Sequence, residues 1–179
     1  MKFNINWTII PTHTIDVGNL HVPYDISRIM KSHKIDKYLY QVMFKDIVIK
    51  YGMSADKSRD YGERIYRQIG HSRSWGDDRL SGSSGADWRI IEEDFNNLYK
   101  IDIDKNFIKI KVWNVSNYPF QTINSRNEII DMESQLIQQY VNVVGKKPIG
   151  NINDEANIIK KAFIKTDTWD GLFDIENIR

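Results

Sequence analysis

The 179-residue chain contains no cysteine. This absence excludes disulfide bonds, thiol nucleophiles and every zinc site built on thiolates, and it is typical of proteins from a reducing compartment. The histidines are few (His13, His21, His33 and His71), and they form no HxxxH pair or other metal-ligand spacing. The sequence therefore does not predict a zinc site.

Long apolar runs and an excess of charge of one sign are also missing. The stretch from Met1 to Asn19 has a short apolar run that Pro11 interrupts, which predicts neither a signal peptide nor a membrane span. We therefore expect a cytoplasmic protein with no membrane partner. The formal net charge is only +1, so any binding of nucleic acid must come from a local basic patch. The content that is present, 41% hydrophobic and 27% charged residues, is typical of one soluble globular domain.

The hydrophobic patterns predict a small α+β domain around a three-stranded antiparallel sheet flanked by helices. An N-terminal arm, residues 1–37, contains a short amphipathic helix in "YDISRIMKSHKI". The segment "YLYQVMFKDIVIKYG" predicts a β-hairpin, and "FIKIKVW" predicts a third strand. Further helices are predicted in "DKSRDYGERIYRQIG", where Gly62 weakens the pattern, in "DWRIIEEDFNNLY" and in "EANIIKKAFIK".

A long helix is predicted from Ser125 to Val144. Ser125 and Glu128 have the spacing of a capping box, and Gly145 and Pro148 provide the usual stop signals. Its apolar stripe is read as Ile129, Ile130, Leu136, Ile137, Tyr140 and Val144.

Glu133 lies in the middle of that stripe. Burying an unpaired carboxylate costs several kcal/mol, about the stability margin of a whole domain. Glu133 therefore needs a cation, which is either an arginine in an internal salt bridge or a divalent metal ion.

The hairpin brings Tyr40 beside a second polar side chain. If the loop has an odd number of residues, Tyr40 lies opposite Lys50; if the turn has two residues, Tyr40 lies opposite Tyr51. A tyrosine, a lysine, an arginine from the next helix and a metal-binding carboxylate together suit attack on a phosphodiester.

Five short motifs, in order, carry a resemblance to a known family: "YLY", "KYG", "GERIYRQI", "MESQLIQQY" and "KKPIGN". They resemble the core of the GIY-YIG nuclease superfamily between residues 38 and 151, with an insertion at about 71–106 and a C-terminal extension at 152–179. Gly52 matches the glycine of the second half-motif, so Lys50 stands where the second tyrosine is expected. A restriction-endonuclease branch of the superfamily also has lysine there.

This resemblance implies a metal-dependent endonuclease of the type II restriction class, which hydrolyses phosphodiester bonds in double-stranded DNA as a homodimer. Glu133 would bind one Mg²⁺ or Mn²⁺ ion. Tyr40 would act as the general base, and Lys50 would lower its pKa from about 10. Arg64 would contact the phosphate, with Arg59 as its rival, and Asn151 would orient backbone or a side chain nearby.

Basic residues around the insertion predict a grip on DNA phosphates, although a solvated face explains them equally well. The candidates are Arg59, Arg67, His71, Arg73, Lys109 and Lys111. Three alternatives stay open on the sequence alone. They are a phage or repair-type structure-specific nicking nuclease, a non-catalytic nucleic-acid-binding module of the same fold, and a purely structural interaction protein.

Overall fold

A computed structural model describes residues 5–18, 20, 24–44, 47–55, 62, 65, 107–120, 124–145, 147–148 and 151. This part of the chain is an α+β fold, as predicted. A 3-10 turn at Trp7–Ile9 precedes the strand β1 (Thr12–Asp16) and the helix α1 (Tyr24–Ser32). The strands β2 (Tyr38–Phe44), β3 (Ile47–Ser54) and β4 (Ile108–Asn114) follow, and then the helix α2 (Ser125–Val144). Neither helix is long and apolar enough to cross a membrane.

The sheet has four strands, in the order β1-β4-β2-β3, and every neighbouring pair is antiparallel. The prediction of three strands was therefore wrong by one. β1 comes from the predicted N-terminal arm and pairs with β4 from Thr12↔Trp113 to Asp16↔Lys109. Its sequence, THTID, is short but rich in β-branched residues, and Ile15 is buried while its neighbours Thr14 and Asp16 are exposed.

The β2–β3 hairpin contains a β-bulge that neither predicted register included. At the tip of the hairpin, Phe44 pairs with Ile47, so the two strands are joined by a two-residue connection, as in the second predicted register. The register then shifts between Val42 and Met43, so that Val42 pairs with Lys50 and Ile49 is the extra residue. Tyr40 consequently lies opposite Gly52, and both predicted partners, Lys50 and Tyr51, were wrong.

One described core cluster lies between α2 and one face of the sheet. Leu39, Tyr51 and Trp113 point from β2, β3 and β4 toward α2, where they meet its buried apolar residues. Those helix residues are Ile129, Met132 and Leu136. Ile130 was predicted to belong to the buried stripe, but it is 39% exposed because it lies on the opposite side of the helix from Met132 and Leu136.

The ends of α2 are fixed by short-range chemistry. Its N-cap is Asn124, whose side chain accepts a hydrogen bond from the backbone N–H of Asn127 at 3.3 Å. The predicted capping box was therefore displaced by one residue, and Ser125 is the first residue of the helix. Gly145 ends the helix as predicted, in the left-handed conformation with φ +86°.

Gly62 contradicts the predicted helix that ran through it. Its φ is +80°, which a right-handed helix does not contain. A β-carbon at this position would lie 2.7 Å from Cγ2 of Ile26 on α1, so the glycine permits both the turn and the close approach. Ile65, three residues later, is helical and fully buried. The two other predicted helices, the insertion and the C-terminal extension lie outside the described residues.

Candidate functional site

The ring of Tyr40 crosses from β2 to β3 and covers the α-carbon of Gly52. A β-carbon built on Gly52 would clash with Cζ, Cε1 and Oη of Tyr40. Position 52 thus requires glycine because the phenol occupies the place of a side chain, although its backbone is extended. Tyr40 is only 2% exposed, so its hydroxyl has a fixed position above the edge strand of the sheet.

Lys50 and Ser54 flank Gly52 on the same face of β3. Side chains alternate along a strand, so residues 50, 52 and 54 share the face on which the Tyr40 ring lies. Lys50 is 6% exposed and Ser54 is fully buried. Without the bulge at Ile49, a two-residue turn would pair Tyr40 with Tyr51 and turn Lys50 to the other face. The bulge therefore assembles Tyr40, Lys50 and Ser54 on one surface.

Tyr51, the alternative neighbour of Tyr40, lies on the opposite face and packs under α2. Its ring meets that of Tyr140 edge-on, with centroids 6.2 Å apart. Burial, and then the charge of Tyr140, raise the pKa of Tyr51 to about 12. Burial also raises the pKa of Tyr140. Neither phenol is suited to act as a base near neutral pH.

Asn151 binds the backbone of β3 at the centre of the site. Its Oδ1 accepts a hydrogen bond from the Tyr51 N–H at 2.7 Å, and its Nδ2 donates one to the Tyr51 carbonyl at 2.8 Å. Both groups point away from β2, so the amide side chain pairs with the free edge of the strand as another strand would. Asn151 is 6% exposed, and it fixes the peptide units that carry Lys50 and Gly52.

Glu133 is half-buried on α2, at the margin of the buried stripe rather than at its centre. The helix packs mainly on β3, against the face that bears Tyr51. Glu133 and the Tyr40 ring therefore lie on opposite faces of the sheet. The more deeply buried acid of this helix is Glu128, which is 4% exposed and which the sequence indicated only as a cap.

The donor set can be compared with the needs of a divalent metal. In the described part of the chain, no group of three or more His, Cys, Asp or Glu side chains is placed to hold a metal ion. A single carboxylate such as Glu133 nevertheless fits Mg²⁺, which keeps several water ligands and uses one or two protein carboxylates with phosphate oxygens.

Of the residues predicted to bind DNA phosphates, only Lys109 and Lys111 lie in the described part of the chain. Lys109 and Lys111 share the face of Tyr51 and Trp113, opposite to Tyr40, because they alternate with Ile108, Ile110 and Val112. Lys111 lies over the Trp113 ring, 4.9 Å from its centroid. The structure thus does not bring these lysines beside Tyr40. Arg59, Arg64, Arg67, His71 and Arg73 lie outside the described residues.

Sequence reasoning missed two features of this surface. The first is the bulge, since the extra residue Ile49 is as apolar as its neighbours and leaves no compositional signal. The second is the position of Ser54. Because side chains alternate along a strand, the sequence could have placed Ser54 on the same face as Lys50 and Gly52.

Comparison of the chain with protein-family models, curated proteins and solved structures finds no match in any of the three.

Proposed function

We propose that the chain is a metal-dependent DNA endonuclease that resembles the GIY-YIG superfamily and hydrolyses phosphodiester bonds as a restriction-type enzyme. One observation carries the proposal. The Tyr40 hydroxyl takes the place of a side chain at Gly52, on the same face as the buried Lys50. A buried phenol on the same face as an ammonium group suits general-base catalysis on an anionic substrate.

In this proposal the edge of β3 is where a phosphodiester binds. Tyr40 accepts the proton of the attacking water, and Lys50 both lowers the pKa of the phenol and attracts the phosphate. Asn151 holds the strand edge in place through its two hydrogen bonds to Tyr51. Glu133 on α2 would hold a Mg²⁺ ion at this edge. When bound, such an ion stabilises the charge on the leaving oxygen.

The deciding experiment compares Glu133→Gln with the parent on plasmid DNA, with Mg²⁺ and with EDTA. We expect the parent to cut only with Mg²⁺ or Mn²⁺. We expect Glu133→Gln to melt at the same temperature or higher and to bind DNA, but not to cut it, because only the charge that holds the metal is lost. If Glu133 instead forms a structural salt bridge, the same change lowers stability by about 3–5 kcal/mol and leaves cutting.

Glu128→Gln is the matched control, since it neutralises a more deeply buried acid on the same helix. Its cutting at saturating Mg²⁺ should equal that of the parent. The other readings give different outcomes. A parent that only nicks branched or flapped DNA favours a structure-specific nuclease, and a parent that binds DNA without cutting under any metal favours a non-catalytic binding module.

A further inference from the structure

Ser54 has a hydroxyl for which the fold provides no use. It is fully buried at the end of β3, and its Oγ has no hydrogen-bond partner among the described residues. A buried hydroxyl without a partner costs about 1–3 kcal/mol relative to one that is satisfied. Alanine or valine at this strand position would avoid the cost of the unpaired hydroxyl. We therefore expect the Ser54 hydroxyl to bind a ligand.

The position of Ser54 indicates where that ligand lies. Ser54 and Gly52 are two residues apart on one face of the strand, which separates their α-carbons by about 6.6 Å. The Tyr40 hydroxyl lies so close to the α-carbon of Gly52 that a β-carbon there would clash with it. Two hydrogen bonds of about 2.8 Å span up to about 5.6 Å, so a single water can join the two hydroxyls across a gap of that size.

We propose that Ser54 binds the attacking water beside the Tyr40 hydroxyl. This inference rests on the proposed nuclease function. Tyr40 and Ser54 together give the water two fixed partners, which orient one of its lone pairs toward the phosphorus. The water oxygen forms the new bond to phosphorus as the bond to the leaving oxygen breaks. The proton of the water passes to the Tyr40 oxygen, and the leaving oxygen takes a proton from solvent.

Ser54→Ala tests this role against a structural one, and Ser116→Ala is its control. The Ser116 hydroxyl accepts hydrogen bonds from the backbone N–H groups of Asp36 and Lys37 and donates one to the Lys37 carbonyl. Ser116→Ala should therefore melt at a lower temperature and cut DNA at the parental turnover rate. Ser54→Ala should melt at the parental temperature or above it, bind DNA with unchanged affinity, and turn over about 10-fold to 100-fold more slowly.

Ser54→Thr, which keeps the hydroxyl, should recover most of the turnover that Ser54→Ala loses. A Ser54→Ala protein that melts lower and cuts at the parental rate would overturn the proposal, because the hydroxyl would then be structural. A crystal structure of the parent without DNA or metal supplies a readout independent of activity. It should show a water between Ser54 Oγ and Tyr40 Oη, absent in Ser54→Ala.

The two proposals fail in different ways. If that water is missing from the parent crystals, the inference about Ser54 is wrong even when the protein cuts DNA. If the water is present but the parent cuts no DNA with any divalent metal, the nuclease function is wrong, and with it the role of this water in attack.

Discussion

Gly52 shows how much one residue can carry in this fold. Glycine is required here because the Tyr40 ring fills the volume where a side chain would lie, and not because the backbone needs a positive φ. A glycine inside a strand otherwise weakens the strand, since it adds chain entropy and removes packing. The sequence motif at this position thus has a physical cause in the phenol on the neighbouring strand.

Gly52→Ala should therefore move Tyr40. The new methyl group collides with the phenol, so we expect a loss of about 1–3 kcal/mol in the free energy of unfolding and a loss of DNA cleavage comparable to that of Tyr40→Phe. Gly145→Ala is the control, because nothing lies within 4 Å of its added carbon and only the positive φ opposes it. It should cost about 1 kcal/mol and leave cleavage unchanged. Equal effects of the two changes on cleavage would contradict this role for Gly52.

The burial of Tyr51 predicts sensitivity to alkali. Its pKa rises from 10.0 in the unfolded chain to about 12 in the folded one. The folded state keeps the phenolic proton in this range while the unfolded state releases it, so the contribution to stability is complete below pH 10 and is lost as pH approaches 12.

Urea unfolding at pH 9 and pH 11.5 measures this loss. Tyr51→Phe should lose less stability than the parent between the two values. Tyr24→Phe, which changes a tyrosine that is 74% exposed, should lose as much as the parent. A Tyr51→Phe protein with the full parental loss would mean that another group causes the alkaline sensitivity.

At the scale of elements, hydrophobic periodicity was sufficient for β2, β3, β4 and the body of α2. It failed where the outcome depends on contacts between elements. β1 was read as an arm because five residues after a proline carry too short a pattern, and its strand conformation depends on the β4 edge beside it. The register of the hairpin depends on a bulge, and the faces of Lys50 and Tyr51 depend on that register. The sequence therefore identified the candidate residues, but it did not predict which of them face each other.

The pairing of Asn151 with β3 can be tested by Asn151→Asp. The carboxylate can still accept from the Tyr51 N–H, but it sets a negative charge against the Tyr51 carbonyl, where the amide donated a hydrogen bond. We expect a loss of about 1–3 kcal/mol at pH 7 in chemical denaturation. Part of this loss should be recovered below about pH 4, because a protonated carboxyl group can donate again. Asn151→Ala lacks both hydrogen bonds and should show no such recovery; parallel pH profiles for the two variants would contradict the pairing.

For the molecule as a whole, the N-terminal residues are part of the core rather than an appendage. Ile5 and Ile10 belong to the cluster beneath α2, while β1 extends the sheet on the far side of β4. The backbone N–H of Asn114 donates to the carbonyl of Pro11, and that of Val17 donates to the carbonyl of Ile108. The predicted boundary between an arm at residues 1–37 and a core that begins at residue 38 thus does not describe how the packing is divided.

Adjacent substitutions in β1 test whether the whole fold depends on it. Ile15 is 4% exposed, so Ile15→Asp buries an unpaired carboxylate and should cost 3 kcal/mol or more, on the order of half of a small domain's stability. Thr14→Asp places the same charge on an exposed position opposite Lys111 and should change stability by less than about 0.5 kcal/mol. Thermal unfolding followed at the tryptophans distinguishes them, and two equally stable proteins would show that β1 is dispensable.

The amide of Asn151 also has a consequence for association between copies of the chain. β3 is an outer strand of the sheet, and an outer strand with unpaired N–H and C=O groups is a template on which another extended chain can add, leading to aggregation. At Tyr51 those two groups are already paired, so an incoming strand has to displace a buried side chain before it can continue the sheet across this point. One asparagine thus blocks the middle of this outer edge.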